Sequence, residues 1–327
     1  MSEPGIHELA MGQSLFLLEP QFRERVWGGQ RLRASNPPIG EAWIAQGASR
    51  VVAGRHQGRT LDDLVGAYGS ELLGSAGSGS RSDHRFPVLA KLLDCADWLS
   101  VQVHPNDEQA KRMEGPGHLG KTEAWYFIET EPGAKILLGV KPGTGKDQLV
   151  RAIRAGQAAD VAAQIEVRGG EAVVIPAGTL HALGPGLFLY ELQEASDITY
   201  RAYDWGRPQT ADRRLHIEES VEVTLPVGPL ARSTPRVPAG TGTAQAFACD
   251  YFEVDLVRIG SQLLETDTAG LTFHLLTAIE GGVEVTCGGE SATLDPFETA
   301  LIAAAAGAYS VRSRSATATL LRARLPD

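Results

Sequence analysis

The 327-residue sequence has few cysteines and no excess of basic residues. The three cysteines, Cys95, Cys249 and Cys287, are odd in number and widely spaced, which excludes a disulfide framework and a Cys-x-x-Cys metal knuckle. The formal net charge is −10, so the basic surface that nucleic-acid binding requires is missing. We therefore expect no nucleic-acid partner, although a small phosphorylated ligand needs only a few local cations.

Long hydrophobic runs are also missing. No stretch approaches the roughly 20 apolar residues of a membrane span, and the N-terminal residues lack the basic region of a signal peptide. The longest candidate, residues 299–308, is mostly alanine and is predicted to be a buried strand with its turn. Together with cysteines that suit a reducing compartment, these features predict a cytoplasmic protein that does not bind membranes.

Glycine and proline, by contrast, are frequent, with 37 and 18 residues. They separate short apolar or alternating runs, a pattern typical of an all-β barrel or sandwich. The runs predicted as strands are 87–93, 99–104, 124–129, 134–140, 172–175, 187–192, 252–259, 272–279, 283–287 and 317–323. Apolar residues at helical spacing predict helices at 60–73 and 147–167. A third helix is predicted at 106–113, which follows a proline and is charged as a first helical turn prefers.

A stretch rich in proline and glycine at 226–242 has little periodicity and is predicted to be a linker. The sequence thus predicts a domain at 1–225 with short helical insertions, and a C-terminal β domain at 243–327.

Residues 99–104, LSVQVH, alternate with a period of two. Gln102 and His104 therefore lie on one face of the predicted strand, about 7 Å apart, and Ser100 shares that face. A polar face inside a barrel is costly unless a partner satisfies it. Taken alone, this pattern is also compatible with a hydrogen-bonded interior histidine in an edge strand.

Two further segments carry residues that can bind a metal. Glu123, in GKTEAWYFIE, could equally form a surface ion pair with Lys121. His181 follows Pro176-x-Gly178-x-x, a turn after which the next strand can present the histidine inward. Two histidines, a glutamate and a glutamine make a nitrogen and oxygen site that suits Zn²⁺ and also Mn²⁺, Fe²⁺ or Co²⁺.

Residues 190–207, YELQEASDITYRAYDWGR, are dense in charge among strand-forming residues. They form either an exposed, salt-bridged hairpin or the wall of a sugar site. In the second case arginine supplies a planar fork for anionic oxygens, while aspartate accepts from hydroxyls or carries a proton.

Residues 170–181 resemble the second cupin motif. Gln102-Val-His104 stands where the first cupin motif opens with His-x-His, a departure typical of type I mannose-6-phosphate isomerases. The chain resembles the short bacterial form of that family in collinear segments from Trp27 to Arg207: VWGG (26–29), GEAW (40–43), FPVLAKLLD (86–94), LSVQVHP (99–105), GKTEAWY (120–126), PAGTLHAL (176–183) and SDITYRAYDWGR (196–207).

The resemblance implies a mainly β fold of tandem cupin barrels with a few short helices. It implies a metal-dependent aldose–ketose isomerase that interconverts mannose-6-phosphate and fructose-6-phosphate by proton transfer through a cis-enediol. One Zn²⁺ per chain would be held by Gln102, His104, Glu123 and His181. Arg201, Lys121 and Asp197 would be catalytic, and Lys91 and Ser100 would contact the substrate near its phosphate.

Beyond residue 225 the resemblance weakens. His274 has no companion ligands in the sequence, so we expect the C-terminal barrel to be metal-free.

Two other functions remain open: a cupin metal dioxygenase, and a non-catalytic cupin that binds a sugar phosphate. The segments GKTEAWY and TYRAYDW argue against a dioxygenase. The joint presence of Lys121, Asp197 and Arg201 argues against a binding module.

Overall fold

The computed structural model describes residues 11–78 and 85–326. Contacts divide the chain into two compact units. We call Gln21–Trp43 with Val88–Pro235 the middle unit, and Met1–Pro20 with Ile44–Pro87 and Arg236–Asp327 the flanking unit.

Strands predominate among the described residues. In chain order the strands and helices are β1 (Leu15–Leu17), β2 (Gln21–Gly29), β3 (Ile39–Ala45), α1 (Leu61–Tyr68), α2 (Ser70–Leu73), β4 (Val88–Cys95), β5 (Val101–Val103), α3 (Asp107–Met113), β6 (Glu123–Thr130), β7 (Lys135–Val140), α4 (Lys146–Arg154), α5 (Ala158–Val161), β8 (Ala162–Glu166), β9 (Ala172–Ile175), β10 (His181–Leu183), β11 (Leu187–Glu194), β12 (Tyr200–Tyr203), α6 (Ile217–Val223), β13 (Gly242–Ala248), β14 (Glu253–Ile259), β15 (Leu264–Asp267), β16 (His274–Glu280), β17 (Val283–Cys287), β18 (Glu290–Leu294), β19 (Thr299–Ile302), β20 (Ala308–Ser313) and β21 (Ala318–Arg324).

The middle unit is a sandwich of two sheets. One has the strand order β2-β3-β4-β11-β6-β9 and the other β12-β5-β10-β7-β8. The inward-facing side chains of both sheets form one apolar core, since each sheet presents alternate residues to its inner face. That core includes Leu93, Phe127 and Leu189 from the first sheet, and Ile136, Leu138 and Leu183 from the second.

The flanking unit is a second sandwich, with sheets β1-β19-β16-β21-β14-β13 and β15-β20-β17-β18. Its core again draws on both sheets, with Val257 and Leu276 from the first and Val285 and Val311 from the second. The predicted mainly β architecture with few helices is confirmed.

The contact-based units differ from the boundaries expected from the sequence, because the flanking unit is discontinuous. Strand β1 pairs with β19 in register Leu17↔Ala300, so the start of the chain belongs with its end. The junction at Pro235 falls inside 226–242, where no regular helix or strand is described before β13. The assignment of catalytic and metal-free roles to 1–225 and 243–327 stays a prediction.

The predicted helices are present but shorter. Residues 60–73 form α1 and α2, which are separated by Gly69 at φ 47°. At the start of α1, Thr60 and Asp63 form a reciprocal capping box. The prediction of a helix over 147–167 is wrong for its last residues, because residues 162–166 form strand β8, which pairs with β7. No described helix is both long enough and apolar enough to cross a membrane.

Candidate metal centre and its pocket

Both sheets of the middle unit deliver side chains to one point. Gln102 on β5 and His181 on β10 are direct cross-strand partners, and His104 directly follows β5. Glu123 opens β6 in the facing sheet. Because these residues sit on paired strands, their positions are fixed by backbone hydrogen bonds and not by loop conformation.

Three of these side chains form a compact, fully buried cluster. The ligand atoms of His104, Glu123 and His181 lie within 4.8 Å of one another. Nε2 of His104 is 3.3 Å from Oε2 of Glu123, and Nε2 of His181 is 3.2 Å from Oε1. Ligands of a tetrahedral zinc ion at about 2.0–2.1 Å would lie about 3.3–3.4 Å apart, so the spacing fits.

Backbone carbonyls fix the tautomers of both histidines. Nδ1 of His104 donates to the carbonyl of Ile198 at 2.8 Å, and Nδ1 of His181 donates to that of Thr179 at 2.9 Å. Each Nδ1 therefore carries the hydrogen, and each Nε2 lone pair points into the cluster. Hydrogen bonds of this kind, from the ring nitrogen that does not face the metal, orient metal-binding histidines in proteins.

The protonation states suit a cation as well. Burial, with the nearby Lys121 ammonium, lowers the pKa of His104 to about 3, so the ring is neutral. Burial alone would raise the pKa of Glu123, but the Lys121 ammonium outweighs it and holds that pKa well below its usual range. A neutral imidazole and a carboxylate are ligand forms that zinc binds.

Glu123 shows most directly that the cluster fits a metal ion. Both of its carboxylate oxygens are buried, and neither accepts a hydrogen bond from the described residues. Lys121 contacts Oε2 at 2.7 Å as an ion pair. A buried carboxylate without hydrogen bonds is costly, whereas a cation between Glu123 and the two Nε2 atoms would satisfy it.

Gln102 completes the set. Its Nε2 is 3.2 Å from Nε2 of His181. Rotation of the amide by half a turn places Oε1 there instead, so the side chain can offer an oxygen ligand.

A pocket of about 610 Å³ lies within the middle unit beside the cluster, because its lining residues Gln102 and Lys121 contact His181 and His104. The six remaining residues predicted for the site, with the glutamine counted among them, all line this pocket: Lys91, Ser100, Gln102, Lys121, Asp197 and Arg201. Asp197 is exposed, whereas Ser100 and Lys121 are buried. The structure therefore brings the predicted site residues together: six line one pocket, and the buried cluster lies behind two of them, Gln102 and Lys121.

Arg201 stands beside the metal ligands, because β12 pairs with β5 in register Arg201↔Gln102. One guanidinium nitrogen donates to the carbonyl of Arg214 at 2.8 Å, while its buried Nε has no partner. Among the described residues no carboxylate forms an ion pair with Arg201. Its positive charge is therefore available to a ligand in the pocket.

Lys91 is engaged in a buried polar network. Its ammonium donates to Glu191 at 2.8 Å and to Gln193 at 2.5 Å. Burial alone would lower the pKa of Lys91, but Glu191 and Glu41 outweigh it and raise the pKa. Lys91 thus lines the pocket as one half of a buried ion pair.

The sequence reasoning did not identify several pocket residues. Arg25 forms a two-pronged pair with Glu41 at 3.0 Å, and Trp43 donates to the same carboxylate at 2.8 Å. The segment GEAW contains Glu41 and Trp43, so the signal was present. Arg213 and His216 also line the pocket, but they follow a loop that shows no periodicity.

In the flanking unit, His274 is buried and its Nδ1 lies 2.7 Å from the hydroxyl of Tyr309. Burial lowers the pKa of His274 to about 3. That this unit is metal-free stays a prediction.

Comparison with known proteins identifies relatives that all carry the name of one enzyme family. The family described as phosphomannose isomerase type I, catalytic domain, matches residues 15–126. A mannose-6-phosphate isomerase of Streptococcus mutans is 36% identical over 298 residues, which cover 87% of this chain and 90% of the relative. The crystal structure of mannose 6-phosphate isomerase from Bacillus subtilis aligns with a TM-score of 0.82 at 28% identity, over 95% of this chain and 99% of that one.

A zinc-bound mannose 6-phosphate isomerase structure also aligns, with a TM-score of 0.74 over 96% of this chain and 100% of that one. At 17% identity, this likeness concerns the fold.

Proposed function

Because this chain belongs to the type I phosphomannose isomerase family, we propose that it interconverts mannose-6-phosphate and fructose-6-phosphate. The observation that carries the proposal is the buried cluster of His104, Glu123 and His181, which lies beside a pocket lined by Lys121 and Arg201. A dioxygenase does not need this pair of cationic side chains, and a binding module does not need the metal cluster.

We propose zinc as the resident metal, held by Gln102, His104, Glu123 and His181. When bound, zinc acts as a Lewis acid that polarises substrate oxygens at the reacting carbons. The zinc-bound structure of similar fold supports this choice.

Isomerisation removes the proton from C2, delivers a proton to C1 and moves a hydroxyl proton from O2 to O1. Negative charge develops on the oxygens of the cis-enediol as the C2 proton leaves. Arg201 cannot serve as a base, because a guanidinium stays protonated. We assign it to the developing oxyanion, for which its free charge beside Gln102 is well placed.

Lys121 is assigned to the same reacting end, since its ammonium is 3.2 Å from Nε2 of His104 and 2.7 Å from Glu123. Asp197 is exposed at the pocket lining and is assigned to proton relay with solvent. Lys91 and Ser100 are assigned as substrate contacts. We place the enzyme in the cytoplasm, and the three free cysteines support this location.

A coupled assay that follows fructose-6-phosphate formation from mannose-6-phosphate tests the proposal. We expect turnover that is lost after chelation and restored by Zn²⁺. Turnover that survives complete removal of the metal would overturn the metal-dependent mechanism. Binding of the sugar phosphate without turnover in the zinc-loaded protein would favour the binding module.

A further inference from the structure

Resting on the proposed isomerase function, we propose that Arg213 binds the phosphate group of the substrate. The phosphate would lie at the end of the pocket that Ser100 and Thr210 also line, and Asp204 would hold the Arg213 guanidinium in position.

Arg213 is held in place and still has donors to spare. Its Nε and Nη2 donate to the two oxygens of the buried Asp204, each at 2.7 Å. Its Nη1 makes no hydrogen bond to a described residue, and the side chain lines the pocket. A guanidinium fixed on one edge is preorganised to donate from the other, and this geometry matches phosphate oxygens.

Arg213 also lies at the correct end of the pocket. Ser100 precedes Gln102 by two residues on β5 and its immediate extension, about 7 Å from the metal ligands. Nε1 of Trp205 donates to the carbonyl of Leu99 at 2.7 Å, which pins the loop that follows Asp204 to this end of β5. A sugar whose first two carbons react at the metal must place its sixth carbon and phosphate away from it.

The positive charges of Arg201 and Arg213 on one wall of the pocket favour binding of an anion. Arg201 has no carboxylate partner among the described residues, and burial, together with the positive charge of Arg213, lowers its pKa. Two guanidinium groups that repel each other along one wall are stabilised by a phosphate near them. The hydroxyl of Ser100 makes no hydrogen bond to the described residues and can donate to the same group.

Lys91 is the competing phosphate ligand. Its charge is already compensated by Glu191 at 2.8 Å in a buried pair on the opposite sheet. Binding a phosphate there would add negative charge beside Glu191 and Glu41. Arg213 also pairs with one carboxylate, but it shares that carboxylate, Asp204, with Arg207, and one of its guanidinium nitrogens makes no hydrogen bond to a described residue.

The test compares Arg213→Gln with Arg207→Gln. Arg207 pairs with the same Asp204 at 3.1 Å but does not line the pocket, so it is a matched control. Steady-state kinetics with mannose-6-phosphate and with mannose, and inhibition by inorganic phosphate, give the readouts. We expect Arg213→Gln to lower kcat/KM for mannose-6-phosphate by about 10- to 150-fold, as loss of a charge-assisted hydrogen bond would.

Turnover of mannose should change little in Arg213→Gln, phosphate inhibition should weaken by a similar factor, and Arg207→Gln should resemble the wild type. The proposal would be overturned if Arg213→Gln lowered kcat/KM equally for both sugars, or if Arg213→Gln and Arg207→Gln lowered it equally. It would also be overturned if Lys91→Met, but not Arg213→Gln, lowered kcat/KM selectively for the phosphorylated sugar. If Arg213→Gln does not fold, Arg213→Lys keeps the charge opposite Asp204 and should show a smaller loss that is again selective for the phosphorylated sugar.

Failure of the proposed isomerase function can be distinguished from failure of the Arg213 phosphate site. If the wild-type protein does not turn over mannose-6-phosphate, the isomerase assignment is wrong. Calorimetric binding of fructose-6-phosphate and fructose to the same variants still tests the subsite, because a phosphate-binding Arg213 predicts weaker binding of the phosphorylated sugar alone.

Discussion

Replacing Lys91 by methionine tests whether its main role is the buried ion pair. Lys91 and Glu191 both have almost fully buried side chains and meet at 2.8 Å. Methionine keeps most of the side-chain volume and removes the charge. Glu191 is then left as a buried carboxylate whose remaining donor is Nε1 of Trp125, at 2.9 Å.

The expected loss of stability is large. At an effective dielectric constant of about 20, two charges 2.8 Å apart attract each other by about 6 kcal/mol. The lysine no longer pays its desolvation cost in the variant, so the net loss is smaller, about 3–5 kcal/mol, as for other buried pairs that lose one partner. In Lys91→Met/Glu191→Gln no buried charge is stranded, and most of the loss should be recovered.

Tryptophan fluorescence during urea unfolding measures this change. All five tryptophans lie within the ranges of the middle unit, so the signal reports the unit that contains Lys91. Metal-free protein should be used, because a bound metal adds its own stabilisation. The two single variants, the double variant and the wild type form a double-mutant cycle.

A loss below about 1 kcal/mol in Lys91→Met would mean that the pair contributes little net stability. A double variant as unstable as the single variant would mean that stranded charge is not the cause. Either result would refute the reasoning from burial.

Three further predictions follow from the site. Replacing His104, Glu123 or His181 by alanine should abolish turnover. It should also abolish stoichiometric metal binding, measured by elemental analysis. Gln102→Ala should be milder in both measurements, because a neutral amide is the weakest ligand. Arg201→Ala should lower kcat by about 10²–10³ with little change in KM, as lost oxyanion stabilisers do, and a zinc-loaded variant with near-normal kcat would contradict its role. Burial alone would raise the pKa of Glu41, but Lys91 and Arg25 outweigh it and lower the pKa, so its contribution to stability is present above pH 4.5 and is lost as the pH falls through the folded pKa. The stability difference between wild type and Glu41→Gln should therefore shrink below about pH 4.5, and a difference that grows in acid would contradict the sign.

The placement of three of the four proposed metal ligands was accessible from the sequence, because it depends on local pattern. Period-two alternation places Gln102 and His104 on one face, and the Pro176-x-Gly178 turn delivers His181. Neither feature requires knowledge of distant contacts. Pairing of β5 with β10 then brings these local elements together.

Other parts depend on features without a periodic signal. Strict alternation along 200–204 would place Tyr203 on the face of Arg201. A bulge between them instead pairs Tyr203 with Val101, and its side chain packs against an apolar cluster. Trp205 then adopts φ 56°, a left-handed conformation that is uncommon for a bulky residue. The loop that carries Arg213 starts from these two irregularities, so its position could not be read from the sequence.

The pairing of β1 with β19 sets the order in which the chain can finish folding during synthesis. Leu15 and Phe16 of β1 are buried in the folded protein, yet the partner residue of Leu17 is Ala300. At about 5–20 residues synthesised per second, the apolar strand waits on the order of tens of seconds for its partner. Every residue of the middle unit is synthesised within that interval.

The middle unit can therefore close while the chain is still being synthesised, whereas the flanking unit closes last. During the wait β1 exposes an unpaired apolar edge, the kind of segment that chaperones protect and that aggregates when unprotected. A stop codon shortly before β19 would thus damage the N-terminal end of the protein as well as the C-terminal end. Strand β1 is made before the other described strands, yet it is among the last of them to be buried.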